Sequence, residues 1–263
     1  MKEVPVLLYH NIGNYHAEMM EDGLSPETFA FQMNFLSENG YSVVTLGQAV
    51  DHLIGKIKLS PKSIAITIDG GYQDALTNAL PVLKRHHFPA TFFIAPEFIG
   101  SEQLINRQPI LCLDWDGVEK IIRCGYEIGL LAYEGRRIND QTNEKPIKES
   151  IANLLELLKR SFNIHVRYCA FKEGVPQQSL WNFLQGLGFQ AVFTQCPTNQ
   201  APTPAGVGRI QIDDEDHNIF LTKISDTYLF FKDKPSWKYI RRYKLDSLIH
   251  HMSEAFNKLK GTH

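Results

Sequence analysis

The stretch SIAITIDGGYQDALTNALPVLKRHHFPATFFI, residues 63–94, decides the fold. A short apolar run, Ser63 to Ile68, reads as a strand. Residues Gln73 to His86 follow at helical spacing, and Ala90 to Ile94 is a second apolar run of strand length. A strand, a helix and a strand in this order predict a βα unit and a parallel sheet. The same alternation continues in both directions. Upstream, Val4 to Tyr9 reads as a strand. Ser25-Pro26-Glu27 opens a helix with Ser as N-cap and Pro at the first helical position. Phe29, Met33 and Leu36 give that helix its apolar stripe, and Gly40 ends it. Tyr41 to Val44 is a strand and Leu46 to Ile54 a short helix. Downstream come a helix at Trp115 to Cys124, a strand at Glu127 to Leu131, and a helix at Pro146 to Phe162 with Ile147, Ile151, Leu154, Leu155 and Leu158 on one stripe. A strand at Tyr168 to Phe171, a helix at Ser179 to Leu187 and a strand at Ala191 to Thr194 complete the series. So many units predict a closed or nearly closed parallel (β/α) barrel rather than a small open sheet. Asn139 to Lys145 and Pro197 to Gly208 read as loops. There is no internal repeat. The barrel is expected to occupy residues 1–230, with a basic and aromatic segment and a helical tail at 231–263.

The chain has 263 residues, 43% of them hydrophobic, enough for one large core or two small ones. A formal net charge of -2, from 27 basic and 29 acidic residues, gives no global attraction for nucleic acid or an anionic membrane. Cys112, Cys124, Cys169 and Cys196 include no C-x-x-C pair, so neither a zinc knuckle nor a redox motif is expected. Sparse cysteine fits a reducing compartment. The opening apolar run is too short for a signal peptide, and no stretch reaches the roughly 18 apolar residues of a membrane span. Together these features predict a cytoplasmic protein.

Several segments carry a resemblance. Pro5-Val6-Leu7-Leu8-Tyr9-His10 is similar to P-V-L-x-Y-H, and Ser25-Pro26-Glu27-Thr28-Phe29 to S-P-E-x-F. The run Ile66 to Asp74 stands where T-F-D-D-G-Y-x-D is expected, Pro89 to Ile94 resembles an A-T-F-F strand, and Gly125-Tyr126-Glu127-Ile128-Gly129 resembles G-H-E-I-G. In this order and spacing they resemble the polysaccharide deacetylases of carbohydrate esterase family four, the NodB-homology domain. Arg209-Ile210 ahead of Phe220-Leu221 is similar to that family's last strands.

The resemblance implies a chemistry. Active members remove acetyl groups from a glycan with a metal, usually zinc, that polarises the carbonyl and activates water. Two imidazoles and a carboxylate hold the metal and leave a position open, while a second carboxylate takes the proton. Aligned with this chain, the base position is Asp69. The metal-binding Asp falls on Gly70, and the two His positions on Leu131 and Gly135. None of these three side chains offers a donor atom, so no metal cofactor is expected. Lys172 replaces a motif Pro beside Glu173 and Gly174. Asp69 has two readings: a residual base or sugar anchor, or a strand-end carboxylate capping the next helix, which is favoured. Asp74 is expected to complement that helix's dipole. A substitute metal site would have to use Glu134, Glu173 and His10 with Asp69. His86-His87 suits a helix C-terminus better than a ligand pair, and the adjacent His250-His251 point to different helix faces.

In the tail, Lys234, Lys238, Arg241 and Arg242 alternate with Trp237, Tyr239 and Tyr243. Such side chains can stack on sugars, but more commonly they cover a barrel wall. Leu245, Leu248, Ile249, Met252, Phe256 and Leu259 form a helical stripe. The leading functional expectation is a degenerate deacetylase homologue in cell-surface polysaccharide metabolism, lacking hydrolysis and retaining saccharide binding. The alternatives are an active deacetylase with a rebuilt site, and a non-catalytic structural partner of a glycan-synthesis enzyme.

Overall fold

In the computed structural model the described residues are 4–13, 23–105, 108–132, 144–171, 176–195, 203–213 and 217–225. The chain forms two compact units: residues 1–198 with 202–214, and residues 199–201 with 215–263. The first holds the sheet. The second contributes one described helix, α7 (His217–Lys223), with Phe220 fully buried; the predicted tail at 231–263 lies outside the described residues.

The first unit begins with β1 (Val6–Tyr9), β2 (Asn11–Ile12) and β3 (Gly23–Leu24). In α1 (Pro26–Glu38), the Ser25 side chain accepts the Thr28 backbone N–H, and Phe29, Met33 and Leu36 are buried as their spacing predicts. Then come β4 (Ser42–Val44) and α2 (Leu46–Leu53), the latter closed at its start by a reciprocal Thr45–Gln48 capping box. The central strand, β5 (Ser63–Asp69), is buried along its whole length.

The helix expected over Gln73 to His86 is not one regular helix. A π-helical turn spans Ala75–Ala79, and α3 (Leu80–His86) continues from it. Pro81 has no N–H, and its ring crowds the carbonyl one turn earlier, so the hydrogen-bond ladder widens by one residue there. Beyond β6 (Thr91–Ile94), a hairpin that the sequence did not announce forms from β7 (Glu102–Ile105) and β8 (Gln108–Leu111). The remaining elements are α4 (Trp115–Arg123), β9 (Glu127–Ala132), α5 (Glu144–Phe162), β10 (Tyr168–Phe171), α6 (Gln178–Gly186), β11 (Ala191–Thr194), β12 (Val207–Gly208) and β13 (Ile210–Gln211). The loop expected at Pro197 to Gly208 therefore ends in a strand. Val207 is buried and pairs with Phe193, which draws this end of the segment into the sheet.

All pairings in the main sheet are parallel, in the order β12-β11-β10-β9-β6-β5-β1-β13. The two outermost members, β12 and β13, are separated only by Arg209. Val207 and Gly208 pair with β11, and Ile210 and Gln211 pair with β1. One short segment thus joins both edges and forms an almost-closed parallel barrel. The barrel is deformed at β5, because β4 pairs with its first half (Ser42↔Ser63) and β6 with its second (Thr67↔Thr91). Val6, Ala65, Phe93, Leu131, Tyr168, Ala170, Phe193 and Val207, from β1, β5, β6, β9, β10, β11 and β12, belong to one buried apolar cluster. Among the described residues, no helix is long and apolar enough to cross a membrane.

Candidate functional site

Because every strand of the barrel runs the same way, all C-terminal ends meet at one mouth. Asp69 ends β5, Leu131 lies one residue from the end of β9, and half-buried His10 follows β1. These are the predicted site residues that the barrel brings to one end. Gly70 follows Asp69 directly. Glu134, Gly135, Lys172 and Glu173 lie outside the described residues.

Asp69 is 3% exposed, and its carboxylate is held by a residue that the sequence reading had not placed in the site. Arg209, fully buried, donates from Nη1 to Asp69 Oδ1 at 2.6 Å and from Nη2 to Oδ2 at 2.7 Å. Nη1 also reaches Thr67 Oγ1 at 3.3 Å, and Nε donates to the Thr194 carbonyl at 3.3 Å. The Phe93 ring lies 5.2 Å from the guanidinium carbon. Thr67 Oγ1 in turn donates to the Leu7 carbonyl at 2.7 Å. The fork of Arg matches a carboxylate with two parallel bonds. Three strands, β1, β5 and β11, are joined to the closing segment by this one network.

The expected helix-capping role of Asp69 is therefore replaced by an ion pair across the barrel. A carboxylate buried this deeply requires a cation, and Arg209 brings one from a point 140 residues away in sequence. The signal available in the sequence was an Arg set inside a short apolar strand, Val207-Gly208-Arg209-Ile210. Asp74 makes a long-range contact that its local sequence did not indicate. Its Oδ2 accepts the Ile12 N–H at 3.0 Å, and Asn78 Nδ2 donates to the Ile12 carbonyl at 2.6 Å. Asp74 thus fastens β2 rather than serving only the helix dipole.

The described residues do not fit the metal that the fold suggests. Gly70 has φ +101°, and a Cβ placed there would lie 2.1 Å from Cε2 of Tyr72. The Tyr72 ring, itself 8% exposed and packed with Ile110 and Cys112, covers the point from which a ligand side chain would start. Leu131 is 7% exposed and belongs to the apolar cluster with Phe93 and Phe193. Among the described residues no group of three His, Cys, Asp or Glu side chains converges to hold a metal ion. At the opposite end of the barrel, a cleft of about 430 Å³ is lined by Lys84, His87, Thr91, Cys124, Tyr126 and Glu127. Thr91 and Glu127 begin β6 and β9, so this cleft is remote from Asp69.

Comparison with known proteins agrees with this architecture. The profile of a family described as Polysaccharide deacetylase matches residues 56–192. YxkH of Bacillus subtilis (strain 168), whose name carries the same family description, is 31% identical over 106 residues, covering 40% of this chain and 37% of that protein. The poly-beta-1,6-N-acetyl-D-glucosamine N-deacetylase of Escherichia coli (strain K12) is 29% identical over 124 residues, 44% of this chain and 18% of that protein. The aligned regions thus span well under half the length of these curated relatives. Among solved structures, IcaB from Ammonifex degensii superposes with a TM-score of 0.68 at 25% identity, over 81% of this chain and 92% of that one.

Proposed function

The chain belongs to the polysaccharide deacetylase family, and from that premise we propose that it acts in cell-surface polysaccharide metabolism as a homologue that no longer carries out metal-dependent deacetylation and has kept its barrel mouth for binding saccharide. The observation that carries this reading is the buried Asp69–Arg209 pair, with bonds of 2.6 and 2.7 Å, at the position where a deacetylase needs its proton-accepting carboxylate. A general base must reach the proton it removes, directly or through one water. Asp69 instead turns both oxygens toward Arg209 and is only 3% exposed, which leaves little of its carboxylate for a water to reach. Two further observations support the reading. Gly70 and Leu131 supply no donor atom, and Tyr72 covers Gly70. The saccharide class is taken from the relatives, whose names point to β-1,6-linked N-acetylglucosamine.

The test combines metal content with acetate release. Protein expressed with zinc supplied is expected to hold no stoichiometric metal after desalting. It is also expected to release acetate from β-1,6-linked N-acetylglucosamine oligomers no faster than a metal-free blank. Stoichiometric zinc, or acetate release that disappears in Asp69→Asn, would overturn the proposal. Glu134, Glu173 and His10 would then be the residues to substitute next.

A further inference from the structure

At the end of the barrel opposite the mouth, two helices finish side by side. α3 carries Lys84 in its last turn. Cys124 caps the C-terminus of α4, where its backbone N–H reaches the carbonyls of Lys120 and Ile122. Lys84 Nζ donates to Cys124 Sγ at 3.7 Å. The two side chains share the wall of the cleft of about 430 Å³ with His87, Tyr126 and Glu127. Glu127, the acid in that wall, accepts from Thr91 Oγ1 at 2.9 Å with one oxygen and from Arg167 Nη2 at 2.7 Å with the other, so its charge is matched away from Lys84. The cysteines of the described residues differ sharply in access. Cys112 and Cys169 are buried, and Cys124 is exposed. Burial also pushes the Cys112 and Cys169 thiols up, away from the thiolate form that oxidants attack. Among the described residues, the thiol open to solvent is therefore the one with an amine against it.

The geometry points to Cys124 and Lys84 as a reversible oxidation site, in which a peroxide joins the two side chains through a sulfur–nitrogen bond. In the first step the Cys124 sulfur attacks hydrogen peroxide. An S–O bond forms, the O–O bond breaks, sulfur gives up two electrons, and the departing oxygen leaves with the thiol proton as water. The product is a sulfenic acid, which condenses with nitrogen nucleophiles. In the second step the unprotonated Lys84 Nζ attacks that sulfur. An S–N bond forms, the S–O bond breaks, and hydroxide leaves with an amine proton as water, with no further oxidant consumed. The amine is already in contact, so this closure is intramolecular. It outruns a second peroxide, which would carry the sulfur to the irreversible sulfinic acid. An external dithiol reverses the link: it becomes a disulfide, the sulfur regains its two electrons, and the amine is released. The link ties positions 40 residues apart. It therefore restricts the unfolded chain and raises thermal stability, fastening α3 to the end of α4.

The experiment treats the full chain with hydrogen peroxide at mildly alkaline pH, which favours the free amine, and reads intact mass, peptide maps and thermal unfolding. Wild type is expected to lose the mass of two hydrogens and to yield a linked pair of peptides containing Lys84 and Cys124. Its unfolding temperature is expected to rise, and dithiothreitol to reverse all three changes. Lys84→Arg keeps a positive charge beside the thiol, but its guanidinium stays protonated and does not attack. That variant is expected to form no link and to accumulate sulfinic acid at Cys124. Cys124→Ser is expected to form no link and no oxidised sulfur at this position. Lys84 and Cys124 are both exposed, and thermal unfolding under reducing conditions checks that each variant is folded. A link found in wild type and lost in Lys84→Arg supports the assignment. Wild type that ends as sulfinic acid at Cys124 with Lys84 unmodified would overturn it. So would a disulfide from Cys124 to another cysteine such as Cys196, or a link from Cys124 that persists in Lys84→Arg.

Discussion

Tyr168 shows how burial alone reshapes a residue's chemistry. It opens β10 facing the barrel interior, fully buried, edge-on to Phe193 with ring centroids 5.8 Å apart. Burial pushes its phenol up to about 12, with the nearby Glu127 charge adding to the effect and Arg167 opposing it. A free tyrosine titrates near pH 10. The folded chain therefore keeps a proton that the unfolded chain loses over this range, and stability falls as pH rises. The contribution is fully present below about pH 10 and is lost as pH climbs through the folded value. Urea unfolding followed across this alkaline range is expected to show declining stability, with a shallower decline in Tyr168→Phe. An unchanged slope in that variant would assign the effect to other phenols, such as Tyr126, which burial also raises to about 12.

The decisive element is the turn that leaves β5. Gly70 and Gly71 take φ +101° and +63°, a region open to glycine at little cost and unfavourable for other residues. The turn lets Tyr72 fold back over Gly70 and bridge to Cys112 beside the hairpin of β7 and β8. From sequence alone, Gly70→Asp with Leu131→His and Gly135→His would restore zinc if the pocket had kept its shape. The turn changes that expectation. An Asp at position 70 meets the Tyr72 ring at a distance no Cβ tolerates, and it also carries the backbone strain. The triple variant is expected to unfold at lower temperature than wild type and to retain no zinc by elemental analysis. Adding Tyr72→Ala is expected to recover part of the lost thermal stability. Zinc held by the triple variant with Tyr72 intact would show that the ring moves aside.

At the scale of the molecule, Arg209 closes the barrel. Its backbone N–H reaches the Thr194 carbonyl at 3.1 Å, between the pairing of β12 with β11 and that of β13 with β1, while its side chain crosses to β5. Removing one member of a buried ion pair leaves the other charge without compensation and typically costs about 3–5 kcal/mol. Arg209→Met is therefore expected to lower unfolding stability by about that much, as measured in urea. Replacing both partners with apolar residues removes the stranded charge, so Arg209→Met with Asp69→Leu is expected to be more stable than Arg209→Met alone. A double variant no more stable than the single would mean that Thr67 and Thr194, rather than the charge pair, hold the closing strand.

Local pattern determined much of this protein. Alternating apolar runs and helical stripes placed β5, β10 and β11, and the Ser25 cap placed α1, because these depend on residues near one another in the chain. The order of short motifs gave the family. Three features depended on tertiary structure. Pro81 split a helix whose apolar spacing looked continuous, because the ladder's response to a missing N–H is geometric. The end of a segment read as loop, Val207 and Gly208, became a strand, because its partner β11 comes beside it only once the barrel curves round. Asp69 found its partner in Arg209, 140 residues away. No local rule links the two positions. Only the closed sheet brings the buried carboxylate and the guanidinium within reach, and the cost of leaving either charge unpaired then fixes their union.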